Sequence, residues 1–327
     1  MRFLLFITCL FATPVFGDVK QAVNITKSLY QDFAMQAQDL ANVASDDCRS
    51  ATLKPAYHNA FDAWVAASVI QFGPIDDIGG PLSIAFWPDK KGFTSKALRR
   101  LIHDNDPAVG NEKQFAEVSI AAKGFFALEF LLFDSDFNAY SNNGTVCALV
   151  RVITKDIARK ADCMNTLWET SFAHFVLTAG QPGNTVFLTK TEAAQSYLTS
   201  IIGALEFIET ARIARPLGTL DRPRPKRAEA WRSDRPLRNI TVSLKTVEQL
   251  VDALADGQAP ITMEELSVTL KFLPSIDDKS LQSITKTAVR FKVESLLQMV
   301  LSINEAATEE LSLHLGVTTG FNALDGD

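Results

Sequence analysis

"GFFALEF" occupies residues 124–130, and Glu129 is its only ionisable group. From 121 to 133 the charged residues are Lys123 and Glu129, and apolar side chains fall on every face of a helix drawn through them. A helix that is hydrophobic all round is buried on all sides. The segment therefore predicts the interior of a helical protein rather than a surface helix. Phe125, Phe126, Leu132 and Phe133 stand three and four positions from Glu129, where helical neighbours meet. None of them pairs with a carboxylate, so any partner comes from elsewhere in the chain. Without one, burial raises the pKa, because low dielectric disfavours the charged form. Glu129 is then either a structural carboxylate that meets an arginine or a ligand- or metal-facing residue in an interdomain cleft.

Outward from this segment the helical period recurs and strand signals are scarce. Val23, Leu29, Phe33, Met35 and Leu40 mark a first helix over 21–44. A second starts near Pro55, in its first turn, and carries Tyr57, Phe61, Trp64 and Ser68 along one face before Gly73 and Pro74 stop it. A short helix follows over 95–103. Asn111 and Gln114 form a capping box opening a helix that carries the quoted stretch to about Phe133. A long helix is expected over 146–178, and a Thr189/Glu192 box opens another that reaches about Ala214. Prolines and a glycine deny residues 214–240 a continuous helix. Thr262/Glu265 and Ser275/Asp278 are expected to cap two more helices, the last ending near His314. The fold class is all-α, read as two packed helical, four-helix-bundle-like domains. The expected boundary lies in the loop 138–144, giving an N-terminal bundle over 18–140 and a C-terminal bundle over 141–327.

Residues 1–17 have the layout of a cleavable signal peptide: Arg2, an apolar run over 3–12, then Pro14 and Gly17. No later stretch reaches the ~18 apolar residues that cross a bilayer, so the expectation is an exported, periplasmic chain that does not span the membrane. The hydrophobic content of 47% excludes general disorder. Export allows a disulfide among Cys48, Cys147 and Cys163. Cys147 and Cys163 share an expected helix that holds them ~24 Å apart, beyond the ~7 Å a bridge spans. Cys48 with Cys147 is the expected pair, leaving Cys163 buried and inert.

The formal charge is −6, yet residues 212–238 hold nine Arg/Lys against three Asp/Glu. A basic island in an exported acidic chain points to an anionic ligand or an internal ion-pair network, not to nucleic acid. Arginine's planar fork binds carboxylates and phosphates bidentately. Arg224, Arg227, Arg232, Arg235 and Arg238, with Glu229 and Asn239, are the candidates to face Glu129 or to hold an anion or chelated metal. Trp231 and Trp64 are read mainly as core or interface aromatics.

Gly124-x-Phe126-x-x-Glu129 followed by Phe130-Leu131-Leu132 resembles the GxHxxE signature of imelysin-like proteins, an exported family first classed as metallopeptidases. Arg215-Pro216-Leu217-Gly218, the run from Arg227 to Ser233 and Leu237-Arg238-Asn239-Ile240 resemble a second block of that family. The Trp64 helix, Phe72-Gly73-Pro74 and Phe86-Trp87-Pro88-Asp89 are similar to its predicted periplasmic branch. The resemblance implies two helical bundles with a site where they meet, and bacterial members associated with the periplasm or outer membrane and with iron uptake. Where the motif has His, this chain has Phe126. A His and a Glu at i, i+3 form half a metal site, and phenylalanine ligates nothing, which counts against zinc hydrolysis and against an iron site here. HExxH and GxSxG are both absent. His58 and Asp62 at i, i+4 could share a ligand but are read mainly as a surface pair, and His103, His174 and His314 as structural or solvated.

The sequence thus leads to a non-catalytic ligand-binding or accessory protein in iron, metal or nutrient uptake. Its site comprises Glu129, the basic island and Trp64 at the interdomain seam; its resident metal, if it has one, is unknown; its ligand is an anion or metal chelate; and its partner is an uptake system. The alternative is an imelysin-type metallopeptidase using Glu129 with ligands remote in sequence.

Overall fold

The computed structural model describes residues 19–317; the expected signal peptide lies outside them. Among the described residues every regular element is helical. Helix α1 (Val19–Asp46) places Ala22, Tyr30, Phe33, Ala37 and Leu40 on one buried face. Helix α2 (Ser50–Ala67) begins a turn before Pro55 and carries that proline inside the helix. A loop with two 3-10 turns leads to α3 (Phe93–His103).

The helix expected to run unbroken from Asn111 to Phe133 is not continuous. Asn111 does cap, its Oδ1 accepting from the backbone N–H of Lys113 and Gln114, but α4 (Glu112–Ala116) lasts barely a turn. A 3-10 turn intervenes, and α5 (Gly124–Phe133) starts afresh. The break is made by Gly124, whose φ is +70°, a conformation in which a side chain costs energy. A Cβ there would lie 1.9 Å from the carbonyl oxygen of Ile84. That same carbonyl accepts from Phe125 N–H at 2.8 Å, so it satisfies one of the orphan donors of a new helix N-terminus.

Helix α6 (Thr145–Leu167) continues through one π-helical stretch, Trp168–Phe172, into α7 (Ala173–Leu177), matching the long helix expected there. Helix α8 (Lys190–Phe207) is capped by Thr189, which accepts from Glu192 N–H. A second π-helical stretch, Ile208–Ala214, carries it into α9 (Arg215–Leu217). The basic segment then crosses the molecule in two 3-10 turns before α10 (Pro236–Ala255). Two expected caps fall elsewhere. Thr262 lies inside α11 (Pro260–Phe272), donating to Glu310 through its backbone N–H and hydroxyl. Asp278 folds a loop by accepting from Ser280 and Ser283, and α12 (Thr287–Leu315) starts beyond it.

Helices α2 and α6 pack along α1, with α5 filling the space against α2, α3 and α6. Helices α8, α10, α11 and α12 pack together, and α10 also lies against α1 and α2. Cys48 and Cys147 are bonded, with their Cα atoms 5.5 Å apart, tying the end of α1 to the start of α6. Cys163 is free and half-buried. In the centre Phe61 stacks on Phe125 at 4.6 Å between ring centroids, with Tyr57 edge-on to both.

Candidate functional site

Glu129 is 1% exposed, and its companion is a serine rather than an arginine. Oε1 accepts from the hydroxyl of Ser233 at 2.8 Å and from its backbone N–H at 3.1 Å. Ser233 ends a 3-10 turn, Trp231–Ser233, flanked by Ala230 and Asp234 at φ 46° and 55°. Left-handed backbone at residues other than glycine is costly and persists where surroundings impose it; here it points both Ser233 donors into α5. Burial pushes the Glu129 pKa up to about 7, although Ser233 and the Arg232 charge pull the other way. The phenol of Tyr57, fully buried, is held far above its ordinary range by burial and then by Glu129, with Arg235 and Ser233 pulling the other way.

The arginines of the basic island are mostly committed to other carboxylates. Arg232 pairs with Asp134 at 2.7 Å and lies over the rings of Phe130 and Trp231. Arg235, 0% exposed, reaches Asp62 at 2.6 Å, the ring and carbonyl of His58, and Asn239. Arg238 also grips Asp62. His58 and Asp62 are therefore not a plain surface pair: both are acceptors for Arg235. Burial and then the Arg235 charge lower the His58 pKa to about 4. Glu229 is buried against Arg212 at 2.6 Å and takes Asn239 Nδ2 at 2.8 Å, while Arg212 also donates to Ser243. The π-helical stretch that contains Arg212 widens the helix at this point, and such bulges often accompany functional sites.

Besides a cavity of about 790 Å³ lined by His58, Phe133, Arg232, Ser233 and Arg238, two smaller ones adjoin this network and share Trp87 and Phe126 as walls. One, of about 270 Å³, is lined by Glu129, Asp89, Trp231, Arg232 and the cations Arg215, Lys226 and Arg227. The other, of about 350 Å³, is lined by Trp64, Phe207, Gln71, Arg212 and Glu229. Trp87 and Phe126 are near-parallel, 15° apart with centroids 6.2 Å apart. Arg215 lies 5.7 Å from the centre of Trp87, and its pKa falls through burial and then through the neighbouring Arg227. Asp89 is pushed up by burial but held below its ordinary value by the backbone N–H groups of Thr94, Phe93 and Lys91. Of the residues singled out in the sequence, Glu129, Arg227 and Arg232 meet at the first cavity, and Trp64 and Glu229 line the second. Arg235, Arg238 and Asn239 build the network behind them. Arg224 holds Pro216 through its backbone and lines neither cavity. Ser233, Arg212, Tyr57 and Arg215 were not among the candidate site residues, and Asp62 was weighed only with His58; the polar island contains Ser233, Arg212 and Arg215, but nothing local marks which would turn inward.

The imelysin family model, peptidase family M75, matches residues 27–307. The chain belongs to the imelysin family. Among solved structures, this imelysin-family fold is similar to an imelysin-like protein from Psychrobacter arcticum 273-4, with a TM-score of 0.76, 19% identity, and 94% of this chain and 100% of that one covered. It is also similar to a "putative iron-regulated protein A precursor" from Parabacteroides distasonis ATCC 8503, with a TM-score of 0.73, 11% identity and coverage of 93% and 97%. No curated protein matches the sequence. Among the described residues no helix is long and apolar enough to cross a membrane.

A metal at the motif position would need imidazole, thiolate or several carboxylates converging on it. Phe126 packs against Phe61 and Trp87 instead, and no three His, Cys, Asp or Glu side chains converge among the described residues. Glu129 with a serine hydroxyl and a phenol does not fit a resident zinc or iron centre. What the arrangement offers is a buried carboxyl group that titrates near neutral pH, facing a cationic, aromatic-walled cavity.

Proposed function

We propose that this imelysin-family chain is an exported, periplasmic ligand-binding or accessory protein for uptake of iron, another metal or a nutrient, without hydrolytic activity of its own. Its ligand is an anion or metal chelate held beside Glu129 at the seam between the two expected bundles, 18–140 and 141–327. The observation that carries this reading is the charge in the Glu129 cavity. Arg215, Lys226 and Arg227 line it, and none has a carboxylate partner within ion-pair distance among the described residues. Unpaired cations that repel one another beside half-buried indoles are stabilised by an incoming anion. Arg232 contributes from the rim and Arg224 flanks it. Glu229, Arg235, Arg238 and Asn239 hold the scaffold, and Trp64 belongs to the neighbouring cavity. The name of the Parabacteroides protein supports iron handling as the setting.

The test is thermal unfolding of protein purified without chelators, in the presence of phosphate, citrate or ferric citrate, with elemental analysis and a casein proteolysis assay alongside. A binding anion at ~100 times its dissociation constant adds about 2.7 kcal/mol, and the gain is expected to vanish in Arg215→Ala/Arg227→Ala. Stoichiometric metal that disappears in Glu129→Ala together with proteolytic activity would establish the metallopeptidase and overturn this reading. So would the absence of stabilisation by any anion.

A further inference from the structure

Which anion the cavity takes follows from three features of its walls. The first is shape. Trp87 and Phe126 lie near-parallel, and Trp231 supplies a second indole, so the apolar surface is flat and aromatic and favours offset stacking on a planar guest. A volume of about 270 Å³ is just below the usual range of ligand sites, which limits the guest to a one-ring molecule. The second is charge: Arg215, Lys226 and Arg227 supply the cations, Arg227 being exposed and free to swing onto a carboxylate.

The third is Glu129 itself. Its Oε1 is taken by Ser233, whereas Oε2 accepts no side-chain hydrogen bond among the described residues. An anion entering this cavity meets a second carboxyl group, and two carboxylates at close range cannot both stay ionised. The groups around Glu129 leave it as the one that takes the proton. From α2, Tyr57 is already protonated, and from the loop before α3, Asp89 is held ionised by three backbone N–H groups. Arg215, Arg227, Arg232 and, behind them, Arg235 are guanidiniums, a group that stays charged in proteins, Lys226 stands beside them, and Glu229 is saturated by Arg212 and Asn239.

We propose that the ligand of the Glu129 cavity is a small organic carboxylate built on a flat conjugated ring, which enters together with a proton shared between its carboxylate and Glu129. This rests on the anion-binding reading above and gives that anion a chemical class. Burial of Glu129, which brings its titration to about 7, supports it.

Isothermal titration calorimetry with benzoate decides it, run near neutral pH in two buffers of different ionisation enthalpy. With Glu129 half-protonated beforehand, uptake of about half a proton per benzoate is expected. Glu129→Gln should bind benzoate with no buffer dependence, and Arg227→Gln should weaken binding at least about tenfold, as loss of a charge-assisted bond does. Cyclohexanecarboxylate, equally charged but not flat, should bind about tenfold more weakly. Benzoate binding without proton uptake, equal affinity for cyclohexanecarboxylate, or binding of phosphate or citrate but not benzoate would each overturn the inference and leave the anion-binding reading standing. Failure of every anion would remove both. Should Glu129→Gln not fold, the buffer dependence of the unmodified protein and the exposed Arg227→Gln variant still decide the matter.

Discussion

Glu129 ties stability to pH in a direction opposite to that of most carboxylates. Below its ordinary value of 4.5 the group is protonated whether the chain is folded or not. As pH rises from 4.5 to about 7 the unfolded chain gives up the proton first, so the folded state loses stability over that window. The full loss is about 3 kcal/mol, at about 1.4 kcal/mol per unit. His58 acts in reverse: its pKa drops from 6.5 to about 4 in the fold, so it removes stability as pH falls below 6.5. The two slopes oppose each other between 4.5 and 6.5, and above that Glu129 acts alone. Glu129→Gln is therefore expected to gain stability relative to the unmodified protein, by about 3 kcal/mol in all by about pH 8. Urea unfolding across a pH series would show it; a difference that stays flat with pH would mean that folding does not shift the Glu129 pKa. That Glu129 is buried was legible from its Phe and Leu neighbours. Its partner was not. Ser233 reaches it from 104 residues away, through a turn whose left-handed residues are Ala and Asp rather than the expected Gly or Asn. The arginine expected there had nearer carboxylates in Asp62, Asp134 and Glu229.

Among the elements, α5 shows most clearly where periodicity stops being informative. Its all-round hydrophobicity announced burial, but the capping box at Asn111 could not reveal that the chain would break and restart at Gly124. The reason lies in tertiary contact: the Ile84 carbonyl occupies the space of a side chain. Gly124→Ala is expected to destabilise the protein by well over about 1 kcal/mol, the usual scale for a mismatched left-handed glycine, because it adds a clash with backbone to the conformational cost. Thermal unfolding of that variant checks this, and a change of a few tenths would show that Ile84 moves aside freely. Helix starts at α8 and α10 depended on residues close in sequence, and the Thr189 cap was legible for that reason. Those at α11 and α12 did not: Thr262 was drawn inward by Glu310, a residue of another helix.

For the whole molecule, the pattern of apolar residues was enough to give an all-α protein, since no long segment alternates with the period of a strand. The bridge between Cys48 and Cys147 closes a segment of sequence separation 99 that includes α2, α3 and α5. A cross-link of this span restricts the unfolded chain by about 4.7 kcal/mol in the entropy model, and removing native bridges typically costs about 2–5 kcal/mol. Cys48→Ser/Cys147→Ser should lose stability in that range in urea titrations while keeping its helical content; a loss under about 1 kcal/mol would mean that α1 and α6 hold the segment without it.

The four tryptophans of the chain fall into two optical classes. Trp168 and Trp64 are sealed in the interior at 0% and 3% exposure, whereas Trp87 and Trp231 are half-buried in the walls of the Glu129 cavity. The two that line the cavity each already lie beside a guanidinium, Arg215 or Arg232. A molecule entering the cavity exchanges water for itself against both indoles at once. The protein thus carries its own emission reporter, with the sealed pair as an internal reference.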